Sequence, residues 1–442
     1  MAVNSDIDEL KKEIEKLKLE NANLRKNATL SANTHLPISI AEYSRYGRQM
    51  ICEESNGIEG QLKLKNSKVL FIGAGGLACP ALAYLAGAGI GHIGIVDDDV
   101  VENSNLHRQI LHDSTKVGML KCESAKEYIT KLNPHINVTT HPVRLDNYNA
   151  FNIFKQYDII LDCTDTPITR YLISDVSVNC GKVVVSASGV GTEGQLCILN
   201  FADVGPCYRC FYPTPPPPNT VSSCSDGGVI GPCIGLVGVM MAVETMKLIL
   251  GVYTVENFKP FLLQYCGFPN QTLRSFKMRY RQATCACCGD AAHRKISQEN
   301  IESGEINYGI FCGSKNYDVC QSSERLNIQD FYNDYYRKDQ KANGHLLLDV
   351  RPRHHYQISH LPNSYNVTVK ELKQMNGDLT LLKREIPEVN KDSEIIVICR
   401  RGNDSRLATR LLKDQFEIPN VKDVIGGFFR YIDEIDPQIP KY

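Results

Sequence analysis

Short aliphatic runs alternate with longer helix-like segments along most of this chain. Residues 68–72 form the first run, an apolar, alanine-rich segment follows at 81–88, and further runs cover 93–96 and 158–162. Runs of this length are typical of buried strands, and the segments between them are long enough for helices. The alternation predicts a Rossmann-like, doubly wound α/β domain built on a parallel sheet.

The same pattern divides the chain into four parts. Residues 1–30 carry a charged, helix-favouring segment with apolar residues on a heptad seam, which predicts an N-terminal helix or a short coiled coil. The first α/β domain is predicted over residues 38–290, and weak patterning over 291–326 predicts a linker. Aliphatic runs in the first and middle parts of residues 327–442 predict a second α/β domain over that range.

Three closely spaced glycines follow the first strand run. Gly73, Gly75 and Ala78 match a loose dinucleotide-binding pattern, and Asp97 follows the next strand run. In such a turn the first amides of the helix can bind a phosphate. A carboxylate at the end of the neighbouring strand is placed to accept hydrogen bonds from ribose hydroxyls. The pattern indicates a nucleotide site. An NAD-dependent dehydrogenase and a structural glycine turn are the alternatives.

Polar candidates cluster after these strands. A donor-rich segment contains Ser104, Asn105, Leu106, His107 and Arg108, and Lys121 follows in a helical segment. Asp165 comes at the carboxyl end of a strand, where open α/β sheets bind ligands, and Thr166 is predicted to cap the helix that Pro167 begins. Arg48 shares a helix face with Arg45, which suits an anion; ordinary surface charge is the alternative.

Two Cys-x-x-Cys pairs, Cys207 with Cys210 and Cys285 with Cys288, predict a structural metal centre. Each pair presents two sulfurs from one tight turn, and four thiolates complete a tetrahedral zinc site without an open position. Cys287 is left over. Disulfides are a poorer interpretation because the cysteine count of 17 is odd and no export signal is visible.

Cys224 follows a polyproline tract that can enter neither a helix nor a sheet. We therefore expect an accessible thiol flanked by serine and glycine. Accessible thiols are open to oxidation, so a chemical role is a better interpretation than an inert surface cysteine.

Cys399 ends an apolar strand run and begins a short polar loop before a helical segment. Loop amides, the helix N-terminus and nearby arginines are expected to lower the pKa of this thiol, and this placement favours catalysis. A phosphatase built on the same loop would need an arginine six residues after the cysteine. Ser405 stands there, which favours sulfur chemistry over phosphate chemistry.

Composition narrows the function further. The 442 residues carry 49 basic and 50 acidic side chains, a net charge of −1, so no overall field attracts nucleic acid or a membrane surface. No secretory signal is visible at the N-terminus, and the apolar stretch at 234–250 is interrupted by Glu244 and Lys247, which is typical of a core helix. We expect a cytoplasmic protein with reduced thiols.

Taken together, these motifs resemble the adenylating enzymes of ubiquitin activation and of molybdopterin and thiamine sulfur transfer. The C-terminal domain resembles a rhodanese. The resemblance covers roughly residues 40–290 and 327–440, and the order of domains is similar to that of eukaryotic activators of ubiquitin-like modifiers that also transfer sulfur.

The resemblance implies roles for the candidate residues. Gly75 and Gly76 would lie against ATP, Asp97 would bind its ribose, and residues 104–108 with Lys121 would hold the triphosphate. Asp165 would line the site with Thr166 and bind Mg²⁺. Arg48 would reach the phosphates of a partner subunit, which implies a homodimer.

The implied reaction begins with adenylation of the C-terminal glycine of a ubiquitin-related modifier ending in Gly-Gly. Cys224 would take the acyl group or assist sulfur transfer, and Cys399 would carry a persulfide supplied by a cysteine desulfurase or another rhodanese. The product would be a thiocarboxylate for 2-thiolation of wobble uridine in tRNA, for lysine conjugation or for molybdopterin synthesis. A catalytically inactive scaffold that binds a modifier tail is the alternative from another class.

Overall fold

The computed structural model describes residues 13–18, 20–21, 36–218, 227–313, 319–336 and 345–442. The chain forms two compact units, Met1–Gly313 and Ser314–Tyr442. Each unit is built on its own sheet, which confirms the predicted α/β class with two separate α/β folds.

The elements of the first unit follow the predicted alternation of strands and helices between residues 68 and 190; beyond residue 190, two pairs of consecutive strands have no helix between them. Its strands are β1 (Lys68–Ile72), β2 (His92–Val96), β3 (Asn137–His141), β4 (Ile159–Asp162), β5 (Val183–Val190), β6 (Glu193–Leu199), β7 (Phe261–Cys266) and β8 (Thr272–Lys277). Its helices are α1 (Ile40–Met50), α2 (Gly57–Asn66), α3 (Ala78–Ala88), α4 (Lys121–Leu132), α5 (Ala150–Phe154), α6 (Pro167–Cys180), α7 (Tyr208–Phe211), α8 (Gly231–Leu250), α9 (Gln298–Glu302) and α10 (Tyr308–Cys312).

The eight strands form one mixed sheet in the order β3-β2-β1-β4-β5-β6-β7-β8, so the predicted parallel sheet is only part of it. The pairs from β3 to β5 are parallel, and those from β5 to β8 are antiparallel. Apolar cores cover both faces, as parallel strands of continuous aliphatic residues require. One core contains α3 and α8, and the other contains α6 and the four paired cysteines.

Strand register brings the predicted nucleotide residues to one edge. Ile72 pairs with Val96 on β2 and with Asp162 on β4, so the three strands end at the same level. The loops that follow them therefore open at the carboxyl edge of the sheet, where ligands bind in open α/β folds.

The predicted linker needs a correction. Helices α9 and α10 lie within the predicted 291–326 segment and belong to the first unit. The hydroxyl of Tyr308 donates to the buried Asp175 carboxylate on α6 at 3.0 Å, which fixes this segment on the core. The division between the units falls after Gly313.

The predictions for the N-terminal heptad segment and for the long apolar stretch at 234–250 have different outcomes. Residues 13–18 and 20–21 are helical and exposed; the rest of the predicted coiled-coil segment lies outside the described residues, so the coiled coil stays a prediction. Helix α8 is long and apolar enough to cross a membrane by length and composition. It packs on α3, β5 and β6 as a core helix, in agreement with the sequence interpretation.

The second unit has a five-stranded parallel sheet in the order β11-β10-β12-β13-β9. Its strands are β9 (Arg325–Leu326), β10 (His345–Asp349), β11 (Ser364–Asn366), β12 (Glu394–Ile398) and β13 (Val421–Val424). Its α-helices are α11 (Ile328–Asp330), α12 (Arg353–Ile358), α13 (Val369–Met375), α14 (Leu379–Glu385), α15 (Asp404–Asp414) and α16 (Gly427–Glu434), with a π-helix at Phe331–Tyr336. Cys399 directly follows the central strand β12.

Candidate active sites and metal centre

A cavity of about 560 Å³ opens at the carboxyl edge of the large sheet. The predicted residues that line it are Gly75, Gly76, Asp97, Asn105, Arg108, Lys121, Asp165 and Thr166. It is large enough for a nucleotide, since small-molecule sites typically measure about 300–1,000 Å³.

Asp97, the predicted ribose ligand, is hydrogen-bonded to the glycine turn. Gly73 has a φ of 95°, and a Cβ there would lie 3.3 Å from the carbonyl oxygen of Cys163, so glycine is required. The Asp97 carboxylate accepts hydrogen bonds from the amides of Ala74 at 2.7 Å and Asp99 at 2.9 Å. Burial nevertheless raises the pKa of the Asp97 carboxyl above its ordinary value.

Two of the three cationic residues that line the same cavity were predicted, and the third is Arg144. Lys121 is largely buried, and its Nζ lies 2.8 Å from a carboxylate oxygen of the exposed Asp99. Arg108 donates to the side-chain oxygen of Asn105 at 2.8 Å and lies 2.9 Å from Nε2 of His107. Burial and the neighbouring Arg108 lower the pKa of His107, so a neutral ring can accept that hydrogen bond.

Gln109 is a cavity residue that the predicted set omitted. It is 4 % exposed and lines the cavity, and its Oε1 has no hydrogen-bond partner among the described residues. A buried oxygen of this kind costs stability unless a ligand satisfies it. The sequence signal was its position next to Arg108, but the missing partner is visible only in three dimensions.

The aspartate that ends β4 and the aspartate in the following loop differ in burial and in contacts. Asp162 is buried and accepts hydrogen bonds from Ser186 and Thr164. Asp165 is exposed on the cavity wall and makes no hydrogen bond or ion pair with the described residues. Thr166 caps α6 by accepting from the amide of Thr169, and Pro167 begins the helix, as predicted.

Four predicted residues lie away from the cavity wall. Ser104, Leu106 and His107 belong to the neighbouring donor-rich turn, and Arg108 donates to the carbonyl oxygen of Ser104 at 3.3 Å. Arg48 is exposed on α1, and its guanidinium has no hydrogen bond or ion pair with any described residue. It therefore contributes nothing to the cavity of its own subunit.

The four paired cysteines meet as predicted. Their sulfur atoms lie within 4.8 Å of one another, and all four residues are buried. Sγ–Sγ distances are 3.8 Å for Cys207–Cys210, 3.5 Å for Cys207–Cys285 and 3.3 Å for Cys210–Cys288. A tetrahedron with Zn–S bonds of about 2.3 Å has edges of about 3.8 Å, so this donor set fits zinc. The amide of Gln282 also donates to Cys210 Sγ, at 3.4 Å.

Arg209 fixes this cysteine cluster on the core. It stands between Cys207 and Cys210 and forms a bidentate pair with the fully buried Asp175 at 2.8–3.0 Å. Its guanidinium also lies 4.4 Å from the ring centre of Phe311 on α10. The cluster is thus a structural centre that joins α6, α7 and α10.

In the second unit, the loop after β12 wraps around Cys399. The amide of Gly402 donates to Cys399 Sγ at 3.1 Å, and Ser405 Oγ lies 3.4 Å from the same sulfur. Gly427 has a φ of 62°, and a Cβ there would lie 2.3 Å from the Cys399 carbonyl oxygen, so α16 can approach the loop only with glycine. This is an anion-holding arrangement of the kind predicted.

The expected direction of the thiol pKa is wrong. Burial raises the pKa of Cys399, although the hydrogen bonds from Ser405 and the loop act in the opposite direction. Cys399 is only 2 % exposed, and desolvation of the thiolate outweighs the loop dipoles. Cys224 lies outside the described residues.

The comparisons with known proteins agree with these two folds. Residues 46–287 match the ThiF family, and residues 332–434 match the rhodanese-like domain. The ThiF match covers more than half of the chain, and the chain belongs to the ThiF family, with a C-terminal rhodanese-like domain.

Two relatives align with this chain over nearly their whole length. The adenylyltransferase and sulfurtransferase UBA4 of Saccharomyces cerevisiae (strain RM11-1a) is 64% identical over 438 residues, which is 99% of this chain and 99% of the relative. The protein of that name from Vanderwaltozyma polyspora is 65% identical over 430 residues, 97% of this chain and 98% of the relative. Among solved structures, E. coli MccB with MccA-N7isoASN is similar, with 22% identity, a TM-score of 0.49, and coverage of 57% of this chain and 76% of MccB.

These findings support adenylyltransferase and sulfurtransferase activity for this chain. They decide between the two nucleotide interpretations of the glycine turn, because adenylation of the ThiF type uses ATP. The NAD-dependent oxidoreductase is set aside.

Proposed function

We propose that this enzyme adenylates the C-terminal glycine of a ubiquitin-related modifier and then converts it to a thiocarboxylate. The proposal depends on two features that occur together. One is a cation-lined cavity in the first unit, where Asp165 has no hydrogen bond or ion pair with any described residue; the other is the loop of the second unit that surrounds Cys399. One site makes a carboxylate electrophilic, and the other holds a sulfur nucleophile.

In the first step, the modifier carboxylate would attack the α-phosphorus of ATP, and pyrophosphate would leave. Charge develops on the phosphates in this transition state, so fixed cations are the groups that would accelerate it. Arg108 and Lys121 line the cavity and suit this role, and Asp97 suits the ribose hydroxyls. Ser104, Asn105, Leu106 and His107 would shape the triphosphate loop around Arg108, with Gly75 and Gly76 against the phosphates.

Asp165 is the proposed ligand for Mg²⁺, with Thr166 beside it. Its carboxylate is exposed to the cavity and uncommitted among the described residues, whereas Asp162 is occupied by Ser186 and Thr164. Bound Mg²⁺ would neutralise phosphate charge and orient pyrophosphate as a leaving group.

In the second step, a persulfide on Cys399 would attack the acyl carbon, and AMP would leave. Attack of a thiolate on the Cys399 sulfur would break the S–S bond of the resulting acyl disulfide and release the thiocarboxylate. A new disulfide would then remain on Cys399, and an external reducing thiol would return it to the free thiol. Cys224 is the proposed source of the attacking thiolate or of a thioester before it. The absence of a cation from position 405, where Ser405 contacts Cys399, supports sulfur over phosphate chemistry. The sulfur donor would be a cysteine desulfurase or another rhodanese.

A homodimer is the proposed assembly. Helix α8 exposes an apolar stripe at helical spacing that includes Leu236 and Val243. Arg48 is a free exposed cation among the described residues, which supports a role on phosphates bound by a partner subunit. Zinc held by Cys207, Cys210, Cys285 and Cys288 would stabilise each subunit.

The thiocarboxylate would serve 2-thiolation of wobble uridine in cytosolic tRNA and conjugation of the modifier to proteins, in the cytoplasm. A molybdopterin-synthase subunit is the second candidate acceptor, since it would present the same diglycine tail. Direct stable binding to nucleic acid or membrane is not expected at a net charge of −1.

Exchange of pyrophosphate into ATP tests the adenylation step. The wild-type protein should catalyse exchange only with a modifier that ends in Gly-Gly, and a modifier lacking its last glycine should be inactive. No exchange by the folded protein with several diglycine modifiers would leave only a binding scaffold.

A further inference from the structure

Ser405 joins the reactive cysteine to a buried carboxylate. Its hydroxyl oxygen lies 3.4 Å from Cys399 Sγ and 3.2 Å from Asp423 Oδ2. Ser405 and Asp423 are fully buried, and Cys399 is 2 % exposed. One hydroxyl group therefore lies between the sulfur and the carboxylate, away from water.

Arg325 holds the Asp423 carboxylate in a state in which it can only accept hydrogen bonds. Arg325 on β9 donates to both of its carboxylate oxygens, from Nε at 2.8 Å and from Nη2 at 3.2 Å. An ionised carboxylate in a bidentate pair has no hydrogen to donate. The contact between Ser405 and Asp423 therefore uses the serine hydrogen.

The single hydrogen of Ser405 has two acceptors in different states of the cysteine. While Cys399 is a thiol, the serine hydrogen is donated to Asp423, and the S–H can donate to the serine oxygen. When Cys399 is a thiolate, rotation of the hydroxyl donates the hydrogen to sulfur instead, beside the bond from the Gly402 amide at 3.1 Å. Rotation of a hydroxyl requires no movement of heavy atoms.

We propose that Ser405 is a positioning residue for Cys399, and that its hydroxyl moves its hydrogen bond from Asp423 to sulfur when the thiolate forms. The proposal rests on the proposed function, in which Cys399 accepts sulfur. The thiolate attacks the outer sulfur of a donor persulfide, a new S–S bond forms on Cys399, the donor S–S bond breaks, and the donor leaves as a thiolate. Ser405 keeps its proton throughout.

The thiol needs such a contribution because burial raises its pKa. Other charged groups lie on the loop and elements around Cys399 and stay unchanged in the tests below. They are Asp404 at the start of α15, Arg400 and Arg401 in the loop, Arg325 on β9, and the Asp349–Arg351 pair at the end of β10.

The first test is the pH profile of alkylation of Cys399 by iodoacetamide in the full chain, read by mass spectrometry of the peptide that contains it. Ser405→Ala should shift the profile upward by about one pH unit, which is about tenfold slower alkylation below the midpoint. Ser405→Thr retains a hydroxyl and should return the profile towards that of the wild type. A folded Ser405→Ala protein with an unchanged profile would overturn the proposal.

The second test distinguishes an effect of Asp423 that passes through the Ser405 hydroxyl from a direct effect of the Asp423 charge on the sulfur. Asp423→Asn supplies an amide that donates to the Ser405 oxygen and turns the serine hydrogen towards sulfur, so the profile should shift downward. In the Ser405→Ala background, Asp423→Asn should have no effect. A shift of equal size in both backgrounds means that Asp423 acts on sulfur directly through space, and the proposal is then wrong.

Alkylation does not depend on sulfur transfer. The expected shifts together with a protein that never accepts sulfur would support the role of Ser405 on the Cys399 thiolate while overturning the proposed function.

Discussion

The carboxylate of Asp162, at the end of β4, accepts a hydrogen bond from the hydroxyl of Ser186 on neighbouring β5 at 2.7 Å. Both residues are buried, so this bond ties two parallel strands directly below the nucleotide cavity. Asp165 lies three residues later in the same loop and has no such bond among the described residues. Asp162 thus serves the fold, and Asp165 is left available for the Mg²⁺ role that we propose.

Replacing these two aspartates should have opposite consequences. Asp165→Ala should reduce pyrophosphate exchange at least about a hundredfold and leave the melting temperature unchanged, because the carboxylate is exposed. Asp162→Ala should cost about 2 kcal/mol of unfolding free energy, because it leaves the buried Ser186 hydroxyl and the partly buried Thr164 hydroxyl without this acceptor. Exchange assays and thermal melts of both variants check this. A stable, fully active Asp165→Ala protein would remove this residue from the catalytic set.

The cysteine cluster should hold one zinc ion per chain. Removal of the metal by a chelator should lower the melting temperature by at least about 5 °C, because closed thiolate sites contribute folding energy directly. Cys210→Ser should lower the zinc content, whereas Cys287→Ser, the neighbouring buried cysteine outside the set of four, should retain it. Elemental analysis measures the zinc content of each variant, and melting curves measure its stability. Equal zinc loss in both variants would show that the assignment of ligands is wrong.

Arg48 should act on phosphates bound by the partner subunit. Arg48→Ala and Asp165→Ala homodimers should each be inactive, and a mixture of the two, exchanged through the monomer, should regain about one quarter of wild-type exchange activity. That fraction follows because half of the dimers are mixed and each contains one intact site. Activity that stays at the level of the separate variants after verified subunit exchange would place Arg48 in its own subunit's site or outside catalysis.

His112 should make the first unit less stable in mild acid. Its Nε2 lies 3.1 Å from the carbonyl oxygen of Ala74, which requires a hydrogen on Nε2, and Nδ1 then accepts from Ser124 Oγ at 2.8 Å. Burial lowers the pKa of His112, with Lys121 and Lys116 acting in the same direction. The folded state therefore binds this proton less readily than the unfolded state does.

The lowered pKa of His112 makes the folded state less stable as the pH falls. The stabilisation is fully present above the unfolded pKa of about 6.5 and is lost as the pH falls below it, by up to about 1.4 kcal/mol per pH unit. His112→Gln should flatten this dependence between pH 7.5 and 5.5 in urea unfolding of the full chain. Identical slopes for the variant and the wild type would contradict this account of the histidine.

Local patterns in the sequence were sufficient for the fold and for part of the site. Consecutive aliphatic residues dictate buried parallel strands, and strands in register deliver Asp97 and Asp165 to one edge without any further information. The Cys-x-x-Cys pairs were equally informative, because a tight turn fixes the distance between the two sulfurs of each pair. Thr166 and Pro167 likewise specify a helix start by themselves.

Other features depend on contacts that no local pattern contains. Asp423 and Arg325 are 98 residues apart, and only sheet order makes them neighbours. Helices α9 and α10 have five residues each, too few to show a periodic pattern, so they were interpreted as linker. The direction of the Cys399 pKa depends on the depth of burial, which a motif does not reveal.

The central claim is that one chain activates a modifier tail and then supplies the sulfur that the tail receives. Mass spectrometry of a diglycine modifier, incubated with the enzyme, ATP, Mg²⁺ and a persulfide donor, tests it most directly. We predict that the wild-type enzyme replaces one oxygen of the terminal carboxylate by sulfur, whereas Cys399→Ala forms the adenylate and stops there. An enzyme that exchanges pyrophosphate normally but never leaves sulfur on the modifier, with any donor, would contradict the account.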